Sequence, residues 1–251
     1  MSLRMRKFAL CHREIYLILD SALTEASRGD MARPADILVI NANSNAAVTA
    51  GIDAALVPLR FADGPTIRCA TLAGTPFGIE SQQDVEATVL PLRQMVASDN
   101  RADAFVIACY SDPGLALCRE ATRRPVFGIA ECAVLTALAR GDRFGVIAIA
   151  ATSIRRHLRY LRQMGLADRF AGERPLEMSV AESASGEGTL HRMIEIGREL
   201  TLKDGADVVV MGCAGMARHR RALEEALSVP VIDPTQAAVA IAIGAVRTAG
   251  A

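Results

Sequence analysis

The chain has 251 residues, with 28 basic and 28 acidic side chains that cancel, 51% hydrophobic residues and no Trp. That length supports a sizeable core, and the aliphatic composition excludes disordered, collagen-like and disulfide-scaffold classes. Charge balance with seven Phe and three Tyr leaves neither the basic footprint nor the stacking platform of a nucleic-acid binder, so no nucleic-acid partner is expected.

Residues 1–36 carry Arg4, Arg6, Lys7 and Arg13 beside Glu14, Asp20 and Glu25 around an apolar stretch from Ile15 to Leu19. One amphipathic helix fits this segment, read as an N-terminal extension. From Ile37 the chain alternates short β-branched runs with longer helical stretches, the pattern of an α/β protein with covered parallel strands. Strands are predicted at Ile37–Ile40, Thr66–Leu72, Phe105–Ala108, Val126–Ile129, Phe144–Ile149, Val208–Met211 and Val231–Ile232. Ser81 and Asp84 form a capping-box pattern that opens a helix through about Val96, with Pro91 as the position where it ends or kinks. Further helices are predicted at Asp112–Arg123, Glu131–Ala139, Ile154–Met164, Gly188–Lys203 and Ala217–Leu227, with one more after Thr235. No apolar run approaches the ~18 residues of a membrane span, so no membrane association is expected.

The chain also repeats itself. ADAFVIACYSDPG at 102–114 aligns with ADVVVMGCAGMAR at 206–218, and each continues through a helix to a proline and a strand, RPVFGI at 124–129 and VPVIDP at 229–234. ILVINANS and VIAIAATS, ending at Ser44 and Ser153, correspond as well. Two similar lobes follow, at 37–140 and 141–251, with the last helix free to cross back to the first lobe.

Cys109 and Cys213 occupy the same place in the two copies, directly after an apolar strand and ahead of a helix. Ligands of open parallel sheets bind beyond the carboxyl ends of the strands, so both are ligand-facing positions. Helix amino termini offer free N–H groups and positive potential, which predicts lowered thiol pKa values and support for a developing enolate. Two converging thiols suit inversion of a carbon with an acidic hydrogen, one thiolate removing the proton and the opposite thiol supplying another. The simpler alternative, two packed core cysteines, is weakened by the shared context. Cys11, Cys69, Cys118 and Cys132 lack that context and are assigned to packing. Scattered cysteines without C-x-x-C indicate a reduced, cytoplasmic protein, and His12, His157, His191 and His219 have no zinc spacing, so no metal is expected.

With VINANS at 39–44, IACYSDPGL at 107–115 followed by GIAE, and MGCAGM at 211–216 followed by VPVID, the sequence resembles the aspartate/glutamate/hydantoin racemase superfamily. Within it, the resemblance is to the hydantoin and allantoin racemase branch, and it covers most of residues 37–240. It implies two pseudo-symmetric α/β lobes of flavodoxin-like, parallel-sheet architecture with the active site between them. It further implies a cofactor-independent enzyme acting on a small molecule, and a homo-oligomer. Carried over residue by residue, it makes Cys109 and Cys213 the acid/base thiols. Asn43 and Ser44 contact substrate from the first strand's loop, and Tyr110, Ser111, Ala214 and Gly215 present backbone N–H groups to substrate carbonyls. Glu80 lies in a loop near the cleft.

A structural role is equally compatible with several of these. Asn43 and Ser44 suit a turn with a helix cap, and Glu80 a helix-start carboxylate. Asp112 and Pro113 are assigned to the start of the helix that follows Cys109, and Asp233 to a strand end. Amino-acid racemases of the superfamily carry Asp-Ser, Asn-Thr and Thr-His where this chain has Asn43-Ser44, Tyr110-Ser111 and Ala214-Gly215. Those neutral or small replacements favour an uncharged cyclic amide, a hydantoin or allantoin, over a free amino acid. Ala42, in place of the usual Pro, and Ala150-Ala151 before Thr152 depart from the hydantoin racemases. The superfamily's arylmalonate decarboxylases lack the first cysteine, whereas its maleate isomerases keep both. The remaining alternative is a non-catalytic binding protein, whose thiols would react with iodoacetamide no faster than ordinary ones.

Overall fold

A computed structural model describes residues 33–185 and 188–249. The helix expected within residues 1–36, together with Cys11 and His12, lies almost wholly outside the described residues. The chain divides after Pro34, and every element below belongs to the unit that begins at Ala35.

The elements follow the order β1 (Asp36–Asn41), α1 (Ala46–Ala55), β2 (Thr66–Thr71), α2 (Gln82–Ser98), β3 (Ala104–Ile107), α3 (Leu115–Ala121), β4 (Val126–Gly128), α4 (Ile129–Leu138) and β5 (Phe144–Ala148). Then come α5 (Ala151–Gln163), β6 (Phe170–Pro175), α6 (Val180–Ser185), α7 (Thr189–Leu202), β7 (Val208–Met211), a 3-10 helix (Ala214–His219), α8 (Arg220–Leu227), β8 (Val231–Ile232) and α9 (Pro234–Thr248). They form two four-stranded sheets, ordered β2-β1-β3-β4 and β6-β5-β7-β8, and every strand pair is parallel. This is the two-lobe α/β architecture that the repeat implies.

Both faces of each sheet are buried. Ile37, Val39 and Val106 pack with Val48 and Ile52 of α1 and with Ala238, Val239 and Ala242 of α9. The alternate residues Leu38, Ile40, Phe105 and Ile107 meet Leu92 and Val96 of α2. In the second sheet, Val146, Val208 and Val210 take Ala130, Ala133, Val134 and Ala137 of α4, whereas Ile147, Val209 and Met211 take Met193, Ile196 and Leu200 of α7. The lobes thus exchange helices: α4 follows the first sheet but covers the second, and α9 follows the second sheet but covers the first. α4 and α9 also pack on each other. This alanine-rich joint fixes one sheet relative to the other, and with it the two sets of strand ends.

Several sequence expectations need correction. β6 was not predicted, because FAGERP is a half-exposed edge strand that carries Gly172, Glu173, Arg174 and Pro175 and no apolar alternation. α1 and α6 were also missed. α1 lacks a strong polar face, and α6 has six residues. α2, by contrast, agrees with the helix expected through about Val96: it runs past Pro91 to Ser98, and its predicted Ser81–Asp84 capping box is present.

Asp112 does not cap its own helix. α3 starts only at Leu115, behind Gly114 in the left-handed region, and Asp112 itself has φ of 43°. Its carboxylate instead accepts from the backbone N–H groups of Ala130 and Glu131, both at 2.9 Å, at the start of α4. Gly128 is needed there, since a Cβ on it would lie 2.2 Å from Asp112 Cγ.

Candidate active site

In each sheet the chain leaves the central strand pair in opposite directions, so a crevice opens at the carboxyl ends of β1 and β3 and again at those of β5 and β7. The loops after β1, β3 and β7 bring Asn43, Cys109 and Cys213 there, and the first turn of α5, after β5, brings Ser153. All four residues line a single cavity of about 50 Å³. Tyr110, Ser111, Ala214 and Gly215 border it as well. Ser44 and Glu80 are not among its lining residues. Ser44 donates its backbone N–H to Pro76 O at 3.0 Å, and Glu80 Oε1 accepts from the Val180 N–H at 3.0 Å, at the first residue of α6.

The first loop is an asparagine knot. Buried Asn41, the last residue of β1, donates through Nδ2 to Asn43 Oδ1, Asn45 O and Thr49 Oγ1 at 3.0 to 3.1 Å. Asn43 Oδ1 also accepts from the Asn45 N–H at 2.9 Å, while Asn45 is the residue that caps α1. The helix cap therefore falls on Asn45 rather than on Asn43 or Ser44. With its oxygen doubly occupied, Asn43 is held with its NH₂ as the group left for a ligand.

Cys213 follows Gly212, where a Cβ would come within 2.6 Å of Ile147 O, so β7 reaches this close to β5 only with glycine. Cys213 Sγ accepts from the Gly215 N–H at 3.4 Å, and the N–H of Ser111 plays the same part for Cys109. These donors favour the thiolate, as the sequence implies, but burial outweighs them. Cys109 is pushed up to about 12 and Cys213 to about 11, chiefly by loss of water around the sulfur. The expectation of lowered pKa values is thus overturned. The helix after Cys109 begins only at Leu115, and a 3-10 turn follows Cys213, so helix-end potential is weak at both sulfurs. The charge of an ionised Cys213 raises Cys109 further, which favours one thiolate with one thiol over two thiolates.

Slow iodoacetamide labelling at neutral pH is consequently no sign of an inert pocket. Alkylation of Cys109 and Cys213, followed by peptide mapping, should accelerate about tenfold per pH unit from pH 7 to about pH 10. A plateau below pH 8 would contradict the dominance of burial.

α5 contributes two side chains that no sequence motif marks. Arg156 lines the cavity and donates through Nε to Ser111 Oγ at 3.0 Å. His157, also on the cavity wall, stands edge-on to Tyr110 with ring centroids 5.1 Å apart. Its Nδ1 lies 2.6 Å from Oε1 of Glu173, whose side chain is fully buried. The signal for this group sat in β6, the strand that hydropathy did not reveal, and without it His157 is a lone helical histidine.

Among the described residues, no carboxylate lines the cavity. Its polar side chains are Asn43, Tyr110, Ser111, Ser153, Arg156, His157 and the two cysteines. Such a donor-rich wall suits a ligand bearing carbonyl or anionic oxygens and gives a free ammonium group no counter-charge. Among the described residues no cluster of three or more His, Cys, Asp or Glu is placed to hold a metal ion, and no helix is long and apolar enough to cross a membrane.

The chain is similar in sequence and in fold to known proteins. The sequence profile of the Asp/Glu/Hydantoin racemase family matches residues 37–242. The hydantoin racemase of Paenarthrobacter aurescens is 36% identical over 211 residues, covering 82% of this chain and 89% of that protein. The hydantoin racemase of Rhizobium meliloti is 34% identical over 224 residues, covering 82% and 86%. Among solved structures, the allantoin racemase from Klebsiella pneumoniae superposes with a TM-score of 0.82 at 28% identity, covering 86% of this chain and 89% of that one.

Proposed function

Because the chain belongs to the Asp/Glu/hydantoin racemase family, we propose that it racemises a hydantoin-type ring, a 5-substituted hydantoin or allantoin, without a cofactor and through two cysteines. Racemase activity is what its hydantoin and allantoin racemase relatives support for the family. The observation that carries the finer reading is that Cys109 and Cys213, from equivalent strand ends of the two lobes, line one cavity.

The chemistry follows from that placement. One sulfur, as thiolate, removes the C5 proton, and the electron pair left on carbon passes onto the adjacent ring carbonyl as an enolate. The opposite thiol then delivers its proton to the other face of C5 and becomes the thiolate. The two sulfurs have exchanged states, so the reverse direction uses the same groups in opposite roles. A thiolate whose conjugate acid lies near 11 or 12 is a strong base for a carbon acid. Asn43 NH₂ is available to the enolate oxygen as charge develops, while the Ser111 and Gly215 N–H groups serve the sulfurs.

The donor-rich cavity favours a ring of carbonyls over a free amino acid. Proton NMR in deuterated water over 5-substituted hydantoins, allantoin, glutamate, aspartate, arylmalonates and maleate tests the proposal. Loss of the C5 proton signal with loss of optical rotation is expected for a hydantoin or allantoin. Turnover of maleate or an arylmalonate with no exchange in any hydantoin would replace the proposal.

A further inference from the structure

Arg156 differs from Arg68 and Arg174, which are partly buried and ion-paired. Arg68 pairs with Asp36 and Asp99, and Arg174 with Glu199 and Asp204. Arg156, half-buried on the cavity wall, makes no ion pair among the described residues, and its one hydrogen bond joins Nε to the neutral Ser111 hydroxyl. Of the acidic groups that reach it, Cys109 carries charge only when ionised, with its pKa pushed up to about 12, and the two carboxylates are already committed. Glu173 is bound to His157, and Asp84 accepts from Ser81 and Glu80 at the start of α2. Arg159 adds repulsion, and burial draws the Arg156 pKa down from its usual value.

A guanidinium removed from water without a counter-charge is costly, and the loss is recovered when a ligand supplies the anion. Nε is held, so the two terminal nitrogens form an open fork, the geometry that takes a carboxylate in two parallel hydrogen bonds. Among the described residues the rest of the wall has no carboxylate, lysine or second arginine, which suits a neutral ring and assigns the anion to its substituent.

Resting on the racemase reading above, we infer that Arg156 is a specificity residue that binds a carboxylate on the C5 substituent, so the favoured substrates are hydantoins bearing an anionic side chain. The ring lies between the thiols while the substituent reaches the mouth of α5.

The test compares 5-(2-carboxyethyl)hydantoin with its neutral isostere 5-(2-carbamoylethyl)hydantoin, by polarimetry, in the wild type, Arg156→Gln and Arg156→Lys. The wild type should prefer the carboxylate by about tenfold or more in kcat/KM, mainly through KM. In Arg156→Gln the preference should fall to about one, and Arg156→Lys should keep part of it, because charge remains while the fork is lost. If Arg156→Gln does not fold, the wild-type ratio and Arg156→Lys decide. Equal turnover of the two substrates by the wild type, or loss of both in equal proportion in the variants, would overturn the assignment while leaving the racemase reading intact. Racemisation of neither would overturn both.

Discussion

Replacing Cys109 with serine should lower racemisation by about 10²- to 10⁴-fold, and Cys213→Ser should do the same, the range expected when one acid/base group is removed. Serine keeps the size of the side chain and can still accept from the neighbouring N–H that Cys213 uses at 3.4 Å, so the loss reports chemistry rather than folding. An alcohol is far harder to ionise than a thiol, and burial at both positions raises that barrier further. Each variant retains one sulfur. It should therefore exchange the C5 hydrogen for deuterium in the enantiomer that presents it to that sulfur, without inverting the centre. Polarimetry with proton NMR in deuterated water separates exchange from inversion. Wild-type racemisation from both enantiomers in either variant would eliminate the two-thiol mechanism.

The same two residues show what was legible beforehand. The two-lobe duplication and the equivalence of Cys109 and Cys213 follow from short apolar runs and a repeated strand-cysteine-helix pattern, which are local signals, whereas the order of the strands in each sheet was not read from them. The sign of the thiol pKa shift was not local. N–H donors beside each sulfur are visible from the loop, but the loss of water that outweighs them arises only when the lobes enclose the cavity. Arg156 and His157 were hidden for a related reason. On a helix with Arg155, Arg159 and Arg162, nothing in the sequence distinguishes the arginine that faces the cleft from those that face water. Glu173 was hidden by β6 itself, whose charged and proline-bearing run gives no strand pattern.

Asp112 shows how closely the site and the fold are joined, and Asp112→Ala should destabilise the protein by roughly 2 to 4 kcal/mol, read as a lower urea midpoint. The substitution leaves the Ala130 and Glu131 N–H groups without the carboxylate that both donate to at 2.9 Å, and Tyr160 loses an acceptor at 3.2 Å. The effect has a definite pH dependence. Burial raises the Asp112 pKa to about 7 from 3.8. Between those values the folded protein holds a proton that the unfolded chain has released, so this residue's contribution to stability falls as pH rises from about 4 to about 7. Asp233, raised to about 6, behaves similarly but is present in both proteins and cancels in the comparison. The advantage of the wild type over Asp112→Ala should thus be larger at pH 5 than at pH 8. A gap that widens with pH would show the carboxylate to be stabilised by ionisation instead. Gly128→Ala approaches the same contact from the other side, since its methyl would overlap the Asp112 carboxylate. It should cost less in the Asp112→Ala background than in the wild type, because the group it collides with is gone. Additive effects would mean that α4 is held in place by something other than this bridge from the loop behind Cys109.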